Sequence, residues 1–104
     1  MRNHLTYEKI ASANKRTTIA KLAPETYFTD VLTHHDRREN PCSFLFDSDR
    51  RFTRLWDGSY VDGFFSGEKN SKTEVFVLTR EEAIQLAKST QRLFSTPLRE
   101  SLRA

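Results

Sequence analysis

Apolar side chains recur at two different spacings along the chain, and the change of period divides it into regions. After Thr79, the residues Ala83, Leu86, Ala87, Leu93 and Phe94 fall at helical spacing, which gathers them into one stripe. Thr79 and Glu82 precede that stripe as a T-x-x-E box, in which each side chain satisfies a backbone amide left unpaired at the helix start. Pro97 disfavours helical backbone at the residue before it, so the pattern predicts a helix over 79–95. The tail 96–104 either stays unfolded or adds a short helix with Leu98 and Leu102 on one side.

Between 42 and 78 the apolar runs shorten to strand length. Ser43 to Phe46 is bounded by Pro41 and by Asp47-Ser48-Asp49, Phe52 to Trp56 follows, and Asp57-Gly58 then marks a tight turn. Tyr60 to Phe65 reads as the next strand, paired across the polar loop 66–72 with Val75 to Leu78. Short connections make antiparallel neighbours. The first 40 residues read as helical. Thr6 caps a helix through Tyr7, Ile10 and Ala11, the poor helix former Asn14 to Thr18 interrupts it, and Ile19 to Ala23 resumes it. Pro24 suits a first helical position, with Tyr27, Phe28, Val31 and Leu32 on the apolar face behind it. The expectation is an α+β fold in one small domain, residues 1–104: N-terminal helices, a three- to four-stranded antiparallel meander, and a C-terminal helix packed on the sheet.

Composition adds a core and removes some classes. The apolar fraction is 37%, and eight Phe, three Tyr and one Trp supply most of the large apolar surface a chain of 104 residues can bury. No apolar run is long enough to span a bilayer, and the polar first 20 residues do not form a secretory leader. With a lone cysteine, Cys42, the chain fits a reducing, cytoplasmic setting. The charge is +3, from 17 basic against 14 acidic residues, which permits contact with nucleic acid without demanding it.

Catalytic chemistry finds little support in the sequence. His34 and His35 are adjacent, so on a helix they point about 100 degrees apart and do not share a metal. Histidine-type nuclease motifs need a second His downstream, and none follows position 35. Cys42 would need one of those histidines as its base, whereas a cysteine beside Phe44 and Phe46 reads as a core residue. Asp47, Asp49, Asp57 and Asp62 sit in or beside turns, and the glycines at 58, 63 and 67 are too scattered to cradle a phosphate. No cofactor or metal is expected, and an enzyme built on His34 or His35 ranks third among the readings.

The binding readings rest on Arg50-Arg51-Phe52-Thr53-Arg54-Leu55-Trp56. Strand alternation would put Arg50, Phe52, Arg54 and Trp56 on one face, with Tyr60 close across the turn. Arginine interleaved with rings can hold a phosphate backbone and stack bases, and it is also the composition of protein-interface hot spots. A second basic segment, Lys15-Arg16 with Lys21, does not match a helix-turn-helix. The leading expectation is a non-enzymatic protein that binds nucleic acid through Arg50, Arg51, Arg54, Trp56 and Tyr60, with Lys15 and Arg16 contributing. The alternative is a regulator or inhibitor that docks on a protein, and an open sheet edge leaves room for a homodimer.

Overall fold

The computed structural model describes residues 5–30 and 41–103, with side chains as far as residue 92. Helix α1 (Tyr7–Ala13) leads into strand β1 (Arg16–Thr18), a 3-10 turn (Ile19–Lys21) and β2 (Thr26–Asp30). Strands β3 (Phe44–Phe46) and β4 (Phe52–Arg54) follow, then a single helical turn α2 (Asp62–Phe65), a 3-10 turn (Glu68–Asn70), β5 (Glu74–Leu78) and α3 (Arg80–Arg103). The five strands lie in the order β1-β5-β2-β3-β4, and every neighbouring pair is antiparallel. The α+β architecture with the C-terminal helix on the sheet is as expected; among the described residues the strands number five.

Alternation along the strands supplies two apolar faces. Phe28, Phe44, Phe46, Phe52 and Val75 point to one, where Phe65 of α2, Val61, Ile19 and Leu22 close over them. Phe28 is fully buried, with ring centroids 5.5 Å from Phe44 and 5.2 Å from Phe65. Phe76 and Leu78 point to the other face, beneath Ile10 of α1 and Ala83 and Leu86 of α3. Each such side chain contributes roughly 1.5–3 kcal/mol relative to leaving it in water.

Helix α3 starts as its capping box predicts. The Thr79 amide donates to Glu82 Oε1 (2.8 Å) and the Glu82 amide to Thr79 Oγ1 (3.1 Å). Glu82 Oε1 also accepts from Asn14 Nδ2 (3.0 Å), which itself donates to the Val77 carbonyl (2.8 Å), so one carboxylate ties α1, β5 and α3 together.

Several elements depart from the sequence pattern. Residues 26–30 form the central strand, not a helix: Phe28 pairs with Phe44 on one side and Val77 on the other. The β-favouring run Thr26-Tyr27-Phe28-Thr29 prevails there once two partner strands flank it. Likewise Arg16–Thr18 is a strand on β5. Tyr60 to Phe65 is not a strand beyond one bridge, Thr53 to Tyr60; Asp62 accepts from the Phe52 amide (2.7 Å) and the chain coils into α2. Strand β5 therefore does not extend a meander but inserts between β1 and β2. Helix α3 runs through Pro97 to Arg103, since a proline deletes one helical hydrogen bond without forbidding helix on both sides. Val31, Leu32 and the His34-His35-Asp36 cluster lie outside the described residues. Among those described, no helix is long and apolar enough to cross a membrane.

Candidate functional site

The β4 edge of the sheet carries most of the residues singled out by the sequence, but it divides them. Arg50 is not in the strand. It occupies the turn after β3 with φ at +61°, its amide donating to the Asp47 carbonyl (3.0 Å). Asp47 Oδ1 fixes that turn by accepting from the amides of Asp49 and Arg51 (2.9 Å each). Phe52 points into the core and is 5% exposed. Arg54 shares its face, and Arg51 and Thr53 take the opposite one. Of the expected row, Arg50 leaves for the turn, Phe52 and Arg54 keep one face with Trp56 packed against the same core, and the arginines form two arginine–ring pairs.

In the first pair the Arg51 guanidinium carbon stands 3.8 Å from the Tyr60 ring centroid. Tyr60 faces Thr53 across the bridge, which places it diagonally from Arg51. Arg51 Nε also donates to Asp62 Oδ2 (2.7 Å). In the second, Arg54 lies 4.9 Å over the Trp56 ring and grips Asp57 with two bonds, Nη2 to Oδ2 (2.6 Å) and Nε to Oδ1 (3.1 Å). Trp56 packs against the Phe-rich core, and its carbonyl accepts from Gln91 Nε2 of α3 (2.7 Å). The turn that follows is closed by Gly58 at φ +73° and by the Ser59 amide and hydroxyl, which donate to Asp57 Oδ1 (3.1 and 2.8 Å).

Electrostatics follow from this geometry. The Arg54 fork, with help from Ser59, holds the Asp57 carboxyl well below the usual carboxylate range. The Phe52 amide and then Arg51 lower that of Asp62. Both carboxylates therefore stay charged against their arginines. Between 47 and 62 three arginines face four aspartates, so the edge is not a positive track. Tyr60 of the first pair (60% exposed) and Phe64 of α2 (58%) are large apolar side chains turned to solvent. Phe64 was not legible beforehand. The only signal was the doublet Phe64-Phe65, of which the core takes Phe65.

Lys15 and Arg16 lie at the opposite edge, just before and at the start of β1, well separated in sheet order from β4. Arg16 Nε donates to Glu74 Oε1 (2.6 Å), which raises its pKa, and its guanidinium lies 5.7 Å from the Phe76 ring centroid. Lys21 and Lys72 join them around a shallow cleft.

Cys42 is 7% exposed in the Phe-rich core, and its carbonyl accepts from Thr29 Oγ1 (2.6 Å). Its supposed base, His34 or His35, lies outside the described residues. Among those described, no three His, Cys, Asp or Glu side chains converge as metal ligands would. Compared with family models, with curated proteins and with solved structures, the chain matches none.

Proposed function

We propose that this is a non-enzymatic binding protein that docks on a protein partner through its β4 edge, with Arg51, Tyr60, Phe64, Arg54 and Trp56 as the contact group. The observation that carries this reading is the pairing of Arg51 and Arg54 each with both a ring and a carboxylate, with Tyr60 and Phe64 turned to solvent. Arg, Tyr and Trp dominate interface hot spots. Side chains already held in place lose little conformational freedom on binding, which leaves more of the contact energy for affinity. The same carboxylates argue against a phosphate track here, because each arginine would have to exchange Asp57 or Asp62 for a phosphate. The expectation that Arg51 and Arg54 grip nucleic acid is therefore set below the protein-docking alternative at this edge.

The test is capture of partners by the tagged protein from a nuclease-treated lysate, beside the variant Tyr60→Ala/Phe64→Ala. Both side chains are mostly in water, so the variant should fold normally. A protein retained by the original chain and lost by the variant supports the reading. Retention of the same protein by both, or loss of every partner on nuclease treatment, contradicts it.

A further inference from the structure

Four described cations gather at the sheet edge farthest from β4. A cleft of about 620 Å³ beside β1 is lined by Lys15, Arg16, Lys21 and Lys72 against one carboxylate, Glu74. Four cations less one anion leave the cleft lining at +3.

The cations come from separate segments, and backbone bonds hold them together. The Ile19 amide donates to the Thr73 carbonyl and the Ala20 amide to that of Ser71 (3.0 Å each), which clamps the loop after α2 onto the 3-10 turn and brings Lys72 beside Lys21. Within the loop, Asn70 Nδ2 donates to the Ser66 carbonyl and Ser71 Oγ to that of Glu68 (2.8 Å each). Arg16 is occupied by Glu74. Lys15, Lys21 and Lys72 are exposed and make no ion pair with a described residue. Three like charges held around one hollow repel one another until an anion enters.

We infer that this cleft binds the sugar–phosphate backbone of a nucleic acid, independently of sequence. Adjacent phosphates offer the repeated anionic groups that three separated ammoniums can meet together, and the concave wall lets the strand approach all three. This site is distinct in place and ligand from the protein-docking edge, and either can fail without the other. Lysines flanking an edge strand also guard against sheet-to-sheet pairing; that role alone would give no binding.

The experiment is fluorescence anisotropy with a short labelled DNA duplex of mixed sequence over a salt series. Three phosphate contacts predict a slope of log K against log salt near −2.7, and so roughly 40-fold weaker binding between 50 and 200 mM salt. Lys21→Gln/Lys72→Gln should reduce the slope to about −0.9. The control Lys88→Gln/Arg92→Gln removes the same charge from exposed positions on α3 and should leave the slope unchanged. Circular dichroism confirms that each variant is folded. The inference is overturned if the original chain ignores the duplex, if it binds anionic phospholipid vesicles instead, or if the control flattens the slope as much as the cleft variant.

Discussion

Asp57→Asn changes one atom of the β4 edge and removes the feature on which its electrostatics depend. The Asp57 carboxylate accepts four hydrogen bonds, two from the Arg54 fork and two from Ser59. An asparagine oxygen can still accept from Ser59, and Asn-Gly turns as readily as Asp-Gly, so the turn itself is preserved. What goes is the bidentate grip, because the new amide nitrogen is a donor facing a donor. Charge-assisted bonds are worth about 1.5–3 kcal/mol when sheltered, and exposed pairs about 0.2–1. Both side chains here are about a quarter exposed (27% each), so an intermediate loss of about 1 kcal/mol is expected. For a chain of this size that lowers Tm by about 4–8 °C.

The pH dependence has a definite sign. A carboxyl whose folded-state pKa is lowered contributes stability that is present above its unfolded value and lost as pH falls through the folded one. The advantage of the original chain over Asp57→Asn is therefore full at neutral pH and shrinks below about pH 4. Urea denaturation followed by circular dichroism, on freshly purified protein at neutral pH and again near pH 3, measures it. Equal midpoints at neutral pH, or an advantage that grows on acidification, would refute the reasoning.

Other expectations concern the frame that carries the two edges. Phe28→Ala empties the centre of the Phe-rich core and should cost about 3–5 kcal/mol in chemical denaturation; a loss under 1 kcal/mol would mean that residues 26–30 are not the central strand. Glu82→Ala removes the α3 cap and the acceptor for Asn14, for about 1–2 kcal/mol together. Asn14→Ala should cost clearly less in that background than alone, and strict additivity would count against the link. Gly58→Ala meets no atom within 4 Å, so its cost, about 1 kcal/mol by thermal melting, comes only from the positive φ; unchanged Tm would mean the turn relaxes.

Local signals in the sequence were sufficient where the structure is local. The reciprocal Thr79–Glu82 bonds and the Thr6 cap of α1, which accepts from the Lys9 amide (3.4 Å), need only residues three apart. They were legible for that reason. Residues 26–30 were not, because Tyr27-Phe28 followed by Val31-Leu32 satisfies a helical period as well as a strand, and the deciding partners, Phe44 and Val77, lie 16 and 49 positions away. Short-loop pairing placed β5 against Tyr60 to Phe65, whereas it runs between two strands from the N-terminal half. The same non-local step hid the β1 cleft. Lys15, Arg16 and Lys21 were visible as a basic segment, but Lys72 joins them only where the loop before β5 bonds to the turn after β1. At the β4 edge, composition revealed the arginines and rings. It did not reveal that Asp57 and Asp62 neutralise Arg54 and Arg51, which follows from turn geometry.

That the two edges of the sheet bind different ligands is the proposal on which the functional reading stands. It is tested most directly by one capture experiment with two variants, Tyr60→Ala/Phe64→Ala and Lys21→Gln/Lys72→Gln, scoring retained protein after nuclease treatment and retained nucleic acid without it. Opposite losses are expected: the first variant loses the protein partner and keeps nucleic acid, and the second does the reverse. Variants that both lose the same ligand, or that both keep everything, would contradict it.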